Sequence, residues 1–487
     1  MSDVATQPVT IQGGEVALPA FSLFSLLWAC ALLAHQISFG ATFASPWDAA
    51  LTATALLTLL RPSSPPRFFA LCALHAAAAF HHLPDVFNHW YFSALHSFTL
   101  CSILAAAFLT RRSLDPAHFQ PAIAAACRLN LAILYFFSGF HKLNESYFSI
   151  ESSCGVSLYG KLLNALPFLP DSPSLRLNAA YLGVAIELTL PFLLFSRRLR
   201  RPAVLLGLLF HLGLGLMSYR RFSLIAYALL VASLPELGAL LVPRLQRLFP
   251  TLPPRWLIWP ALVLFALAAA FRAFRPPLRD WVTHTPWLAE LLRTAAPHIP
   301  EPDAVLFYIL SATFIAACGL LLWRQRFHPV APLGWPSSAR PALLGVVLVV
   351  ASGLSPYLGL RTLNTFAMYS NLRTEGDSSN HFLIPSSWQV FDYQRDLVSV
   401  EESNIPELHS IASRGLLVPY QQLRAAVSRQ LQHGSRDLRI VYRRAGQRHV
   451  VPAAELHPEL GRPLPALAVK FLTFRPIEPS GPRRCSL

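Results

Sequence analysis

Charged side chains are scarce in this chain: Asp, Glu, Lys and Arg make up 13% of its 487 residues, whereas hydrophobic types make up 54%. Soluble globular domains carry about 25% charged residues. The deficit excludes an ordinary soluble protein and indicates that much of the chain lies in lipid. Cysteine is also sparse, with seven residues and no CxxC pair, so the sequence carries no cysteine-based metal motif.

Acidic residues are the scarcer charged class, because 25 Asp and Glu stand against 40 Lys and Arg, for a formal net charge of +15. Such a surplus can indicate nucleic acid. The arginines, however, lie mainly in short connections between apolar runs, for example at 197–201 and 324–326, so we predict no nucleic-acid partner. By the positive-inside rule we predict a multi-pass protein of the cell (inner) membrane, with a cytoplasmic N-terminus and a C-terminal tail on the outer, periplasmic side. Arg220 and Arg221 run against this orientation.

Apolar runs near the length needed to cross a bilayer recur between residues 19 and 360. They cover 19–38, 46–60, 68–83, 89–110, 121–140, 177–196, 202–219, 222–242, 256–273, 303–323 and 341–360. Because the second and third are short enough to be re-entrant, we predict about 9–11 transmembrane helices. The start of the chain is polar rather than basic, so we expect no cleavable signal peptide.

After the last apolar run, the long apolar stretches give way to short ones separated by turn residues. Short β-branched and aromatic stretches at 380–385, 388–393, 397–400 and 438–442 predict strands, and 405–433 predicts a helix. The predicted fold class is an all-α polytopic membrane helical bundle with a small C-terminal α+β extramembrane module. Its parts are a flexible lead at 1–18, a transmembrane domain at 19–325, a linker and final helix at 326–360, and the module at 361–487.

Two cysteines fall on the predicted outer side of the membrane. Cys154 lies in the long polar and aromatic connection 141–175, which we expect to fold over the outer mouth of the bundle, and Cys485 lies near the end of the chain. A disulfide between them is compatible with this topology, but the pairing does not follow from sequence alone.

Four ionisable side chains lie inside or at the edge of apolar runs: His89, Lys142, Glu187 and His211. An ionisable group in such a place is costly unless it snorkels, pairs or takes part in function. Structural interpretations exist for each one. His89 suits an interfacial belt, Lys142 suits a snorkelling helix end, and the other two suit hydrogen bonds between helices.

The predicted topology favours a functional interpretation, because His89, Lys142 and His211 fall at one depth near the outer surface, with Glu187 somewhat deeper. A lysine packed under a folded loop loses hydration. The neutral form of the lysine is then more populated, and the amine can act as a base. Histidine can donate or accept a proton near neutral pH.

A histidine-rich stretch precedes the fourth apolar run and raises the question of a metal site. It contains His75, His81, His82, Asp85 and His89. Pro84 interrupts any single helix through this stretch, and no HExxH spacing is present. We therefore predict no metal.

Four strings resemble the vitamin K-dependent gamma-carboxylase family and its bacterial relatives, the HTTM proteins. They are 88–91 (Asn-His-Trp-Tyr), 135–144 (ending His-Lys-Leu-Asn), 182–195 (ending Pro-Phe-Leu-Leu-Phe), and 210–211 followed by 222–224. They occur in the family's order with comparable gaps and span the predicted bundle. The tail string at 368–375 is similar to that of bacterial HTTM proteins.

The resemblance implies a chemistry for these positions. Lys142 matches the family's catalytic base, which takes a proton from reduced vitamin K. Oxygen addition then yields a strong base that abstracts a glutamate γ-proton, the carbanion captures carbon dioxide, and the quinone leaves as its epoxide. His89 matches a histidine implicated in catalysis, and we group His211 with it. We place Asn88, Glu187 and His141 around the quinol.

Three departures from the carboxylases limit what the resemblance implies. His141 replaces the first lysine of the family's pair, Glu187 stands where the carboxylases have Asp, and the tail is too short to match their propeptide-gripping region. We predict a quinol-dependent, carboxylase- or epoxidase-like membrane enzyme, a carboxy-lyase in class, whose protein or peptide acceptor is open. The alternatives are a non-catalytic binder of lipid or quinone, a scaffold, or a transporter. The last is disfavoured by the lack of an internal repeat.

Overall fold

The computed structural model describes residues 13–111, 114–248, 302–325 and 334–485. It is mostly helical, and seven of its helical segments are long and apolar enough to cross a membrane. These are Ala17–Ser38, Asn88–Thr110, Pro116–Phe140, Pro173–Phe195, Arg200–Ala232, Phe307–Arg324 and Ser337–Leu358. The predicted polytopic helical class is confirmed, and the chain is an integral membrane protein.

Twelve described helices precede the C-terminal module. Helices α1 to α12 are Gly13–Ser38, Pro46–Leu60, Pro65–His82, Asn88–Arg111, Pro116–Phe140, Cys154–Ala165, Pro173–Phe195, Arg200–Leu214, Arg220–Ala232, Pro235–Leu248, Pro302–Arg324 and Leu343–Leu358. Proline, which lacks a backbone N–H, opens six of them at a position where that donor has no intrahelical partner. Helix α2 is apolar, but its 15 residues are fewer than the roughly 20 needed for a span.

The predicted spans 202–219 and 222–242 differ from the observed helices. Helices α8 and α9 form one 33-residue segment through a π-helical turn, Gly215–Tyr219, in which Ser218 has a φ of 76°. A straight helix of that length would be about 50 Å long, well beyond the hydrocarbon core. The left-handed residue breaks it. Pro235 then begins α10. The predicted span 256–273 lies outside the described residues.

The chain divides into two compact units. Unit 1 consists of the described parts of Met1–Ala78, His96–Leu131 and Phe192–Val346, and unit 2 of those of Ala79–Leu95, Ala132–Pro191 and Val347–Leu487. In unit 1, α1 packs against α2, α9 and α10, and α8 packs against α9 and α11. A Cβ at Gly238 would lie 2.6 Å from the backbone of Ala20, so glycine is required where α10 approaches α1.

Unit 2 contains the C-terminal module. Its antiparallel sheet has the order β2-β1-β3-β4, from strands Leu397–Ser403 (β1), Leu417–Pro419 (β2), Ile440–Arg444 (β3) and Gln447–Val451 (β4). Helices α13 to α15 are Pro406–Ser413, Tyr420–Gln432 and Ala466–Phe471. The sheet packs on α13 and α14 through buried side chains such as Val398, Leu408 and Leu423. The predicted α+β module is confirmed.

Details of this module differ from the predictions. The helix predicted at 405–433 is two helices, because Gly415 adopts a φ of 62° between them and β2 follows. The strands predicted at 380–385 and 388–393 are wrong: both stretches are irregular, apart from a bridge at His381 and a short 3₁₀ turn. Phe382 N bonds to Leu143 O just beyond α5 and Phe391 N to Leu358 O of α12, while Trp388 N and Gln389 N make local turn bonds.

A disulfide joins Cys154, the first residue of α6, to Cys485 across 331 positions. This is the pairing that the sequence left open. Asn371 reinforces the link, because its side chain accepts from Cys154 N and donates to Ser152 O and Arg483 O. The end of the chain is therefore fastened to the connection that follows α5.

Reduction of this disulfide should lower the thermal stability of the purified protein, because a very long loop in the unfolded chain is no longer closed. We expect a loss of about 2–4 kcal/mol, read as a lower melting temperature in detergent. Dithiothreitol should not affect the Cys154→Ser/Cys485→Ser variant, and Cys101→Ser serves as the control. Alkylation of both cysteines in the native, unreduced protein would contradict the pairing.

Candidate functional site

Lys142 lies in the turn just beyond α5, and its side chain folds back along that helix instead of extending into water. Its Nζ donates to Ser138 O at 3.2 Å and to Ser138 Oγ at 3.1 Å, and the residue is 5% exposed. A buried ammonium is costly unless an opposite charge compensates it. The partner comes from another helix.

Glu187 of α7 supplies that opposite charge. Its Oε2 accepts from Lys142 Nζ at 2.5 Å, and its Oε1 accepts from Ser138 Oγ at 2.9 Å. The two ion-paired side chains are only 6% and 10% exposed. All three donors of the ammonium thus have acceptors, and Ser138 contacts both members of the pair. We call Lys142, Glu187 and Ser138 the Lys–Glu–Ser cluster.

A glycine brings the two helices close enough to form the cluster. A Cβ at Gly139 would lie 2.9 Å from Leu188 Cγ and 3.1 Å from Glu187 Cβ. Since even a methyl group would crowd these atoms, Gly139 sets the spacing of α5 and α7 at the depth of Glu187. The ion pair therefore depends on a small residue that carries no chemistry itself.

An apolar cluster closes over this part of α7. It contains Tyr147, Cys154, Ala180 and Val184, with Leu143, Phe148, Leu188, Tyr369 and Cys485 packed against it. Burial, and then the charge of Glu187, raise the pKa of Tyr147, so its phenol stays neutral. The disulfide belongs to this apolar cluster, which packs against α7 through Leu188, the neighbour of Glu187.

His141 is buried beside Lys142, and both of its ring nitrogens have partners. Nε2 lies 2.9 Å from Thr365 O, and a carbonyl can only accept, so this nitrogen carries the proton. Nδ1 then accepts from Tyr357 Oη at 2.7 Å. Burial lowers the pKa of His141 to about 3, against a smaller opposing effect of the Thr365 hydrogen bond. His141 is a neutral link from α5 to α12 and the segment after it.

Residues of the tail cover the end of α5, where helix carbonyls lack intrahelical partners. His381 Nε2 donates to Phe140 O at 2.9 Å, and Asn144 Nδ2 donates to His141 O at 2.8 Å and to Ser370 O at 2.6 Å. These side chains hold the Lys142 turn in place. Ser370 belongs to the tail string 368–375.

The other predicted site residues occupy different surroundings. His89 is half-buried in the first turn of α4, where its ring stacks on Phe87 with centroids 5.7 Å apart. Asn88 Oδ1 accepts from Phe366 N at 3.1 Å, so it ties α4 to the tail. Both lie in unit 2, as Lys142 and Glu187 do.

His211 belongs to α8 in unit 1 and is fully buried. Its ring packs edge-on against Phe222, with centroids 5.0 Å apart, and its carbonyl accepts from Ser223 Oγ at 2.7 Å. These contacts connect the two strings, 210–211 and 222–224, that the resemblance joined. A shared site for His211 and Lys142 stays a prediction.

Two buried polar residues of unit 2, Ser138 and Arg361, were not predicted as site residues. Ser138 is an ordinary small residue in an apolar run, and only its spacing of four from Lys142 placed it on the same helix face. Arg361 is also buried in unit 2, and its Nη2 donates to Tyr91 Oη at 3.0 Å and Ser352 Oγ at 2.8 Å. Within the described ranges, no group of three or more His, Cys, Asp and Glu residues could hold a metal ion.

Residues 68–233 match the family model of the HTTM domain. This segment contains all four strings and the residues His89, Lys142, Glu187 and His211, and the predicted resemblance to HTTM proteins is confirmed there. It relates the chain to vitamin K-associated membrane proteins. No curated protein matches the chain, and no solved structure does.

Removal of one member of the ion pair should destabilise the protein more than removal of both. Lys142→Met leaves a buried carboxylate, and Glu187→Leu leaves a buried ammonium. Each should cost about 3–5 kcal/mol, whereas the double variant should lose much less than the sum. A double-mutant cycle on detergent melting temperatures measures this coupling. Additive losses would contradict the pair.

Acid should destabilise the protein partly through His141. The unfolded chain binds a proton at this ring below pH 6.5, but the folded chain does not until about pH 3. The stabilisation is therefore complete above pH 6.5 and is lost as pH falls, by about 1.4 kcal/mol per pH unit at most. His141→Gln should reduce this slope between pH 6.5 and 4.5.

The exposed His433 provides the matched control, and His433→Gln should keep the wild-type slope. A residual slope is expected in His141→Gln, because burial also lowers the pKa of His381. An identical slope in His141→Gln and wild type would contradict the assignment to His141.

Proposed function

We propose that this membrane protein is a quinol-dependent oxygenase of the carboxylase type, in which the Lys–Glu–Ser cluster accepts a proton from a lipid-soluble quinol such as reduced vitamin K. One observation carries the proposal: a buried lysine forms a 2.5 Å ion pair with a carboxylate inside the segment that matches the HTTM domain. Ionisable groups held in apolar surroundings are candidates for functional sites.

The base in this proposal is the ion pair as a unit. In the proposed starting state, Lys142 is an ammonium and Glu187 is a carboxylate. Uptake of a further proton leaves Lys142 as an ammonium and Glu187 as a carboxylic acid. Ser138 contacts both groups, so it can keep them oriented during the transfer. The transfer requires a donor within hydrogen-bond reach of Glu187 or Lys142.

The residues present fit a quinol in their donor set and in their lack of water. A bound quinol supplies an acidic hydroxyl and, with oxygen, the oxidising chemistry on which carboxylation depends. The ion-paired side chains are only 6% and 10% exposed, and such burial protects a strong base from quenching by water. In this proposal His89 serves further proton transfers, and Asn88 and His141, which bond to Phe366 N and Thr365 O, lie beside the quinol. His211 belongs to unit 1, and a role for it stays a prediction.

We further propose that the site faces the outer, periplasmic side of the cell membrane. The disulfide between Cys154 and Cys485 supports this orientation, because such bonds persist in oxidising compartments. The C-terminal module would then lie outside with the disulfide. A protein or peptide acceptor would reach the site from that side.

A second candidate is a non-catalytic protein that binds lipid or quinone. The observation that favours it is the saturation of Lys142, whose three ammonium donors all have acceptors within the protein. An ion pair whose donors all have acceptors is compatible with a purely structural role, which is to join α5 to α7. This candidate predicts binding of a quinone without turnover.

Reconstitution into liposomes with reduced vitamin K, oxygen and labelled carbon dioxide tests the proposal. The wild type should form the vitamin K epoxide, and Lys142→Ala should form it at least about 100-fold more slowly, because it removes one member of the ion pair that acts as the base. Lys161→Ala is the matched control and should retain the wild-type rate. Epoxide formation by Lys142→Ala at that rate, or none by the wild type, would contradict the proposal. Quinone binding without any epoxide would favour the second candidate.

A further inference from the structure

The segment 382–393 of unit 2 exposes an unusual number of large apolar side chains. Phe382 is 58% exposed, Leu383 60%, Trp388 62% and Val390 69%. Soluble surfaces rarely concentrate such residues in one short stretch, and where they do the surface usually binds something. We call this stretch the apolar segment.

Hydrogen bonds fix both ends of the apolar segment to the ends of membrane-spanning helices. At its start, Phe382 N donates to Leu143 O at 2.9 Å, directly after α5. At its end, Phe391 N donates to Leu358 O at 3.0 Å, and Gln394 Nε2 donates to Pro356 O at 2.8 Å, both in the last turn of α12. The segment is thereby held at the level where two spans end.

A row of stacked rings joins the segment to the flank of a third span. The ring of Phe382 stacks on Phe148 with centroids 6.1 Å apart, and Phe148 stacks on Tyr181 at 4.6 Å. Tyr181 and Leu182 lie on α7 and are 50% and 61% exposed. In a candidate span with an apolar outer face, lipid is the surrounding that such side chains require.

We propose that the apolar segment is embedded in the membrane–water interface, with Phe382, Leu383, Trp388 and Val390 among the lipid headgroups and upper acyl chains. Its occupant is the bilayer, because its apolar surface continues the outer surface of α7 and its ends are tied to α5 and α12. Aromatic side chains favour this depth. The segment attaches the C-terminal module to the membrane surface, and this inference does not depend on the proposed function.

Fluorescence of Trp388 in the full-length protein tests the inference. The emission of Trp388 is obtained as the difference between the spectra of the wild type and of Trp388→Phe. It is measured in bilayers of ordinary phosphatidylcholine and in bilayers of phosphatidylcholine brominated near the headgroup. We expect this component to lose about half of its intensity in the brominated bilayers, because an interfacial Trp lies at the depth of the bromine atoms. Acrylamide in the aqueous phase should quench it weakly.

Two other tryptophans calibrate the measurement. Trp323 lies near the end of α11 and is 64% exposed, so its difference emission reports contact with lipid. Trp28 is completely buried within unit 1 and reports shielding by protein. Strong quenching of Trp388 by acrylamide, without quenching by brominated lipid, would place it in water and overturn the inference. Insensitivity to both quenchers, as expected for Trp28, would show that protein covers the segment and would also overturn it.

Discussion

The ion pair between Lys142 and Glu187 is the interaction on which the rest of this part of the protein depends. Two charges in apolar surroundings are tolerated only when they remain together, since the loss of either leaves the other without compensation. The pair therefore imposes a register between α5 and α7. Gly139 permits that register, and the hydrogen bonds of Ser138 complete it.

The surroundings of the pair are built from distant parts of the chain. The connection after α5, the tail string and the last residues all meet there, fastened by Asn144, Asn371 and the Cys154–Cys485 disulfide. Such a long-range closure helps to bury the ion pair, and the proposed proton transfer needs the same dry surroundings. Structural stability and the proposed chemistry thus require the same features.

The sequence predicted the membrane class, the two ionisable partners and the α+β module. Each has a local pattern in the chain: long apolar runs, charges within those runs, and short β-branched stretches after them. Lys142 and Glu187 stood out as charges in apolar runs. Their partnership was not predictable, since it depends on the approach of α5 to α7 across 45 positions. The disulfide was open for the same reason. The placement of His141 beside the quinol stays a prediction, and its hydrogen bonds to Tyr357 and Thr365 are contacts that no local pattern indicates.

The most direct test of this account is the protonation state of Lys142. The chain has three lysines, Lys142, Lys161 and Lys470, so ¹⁵N-lysine labelling in lipid bilayers gives three Nζ signals that single substitutions can assign. The account predicts an ammonium shift for Lys142 at neutral pH and a through-space correlation with a glutamate carboxylate that Glu187→Gln removes. A neutral-amine shift, or an ammonium without that correlation, would contradict it.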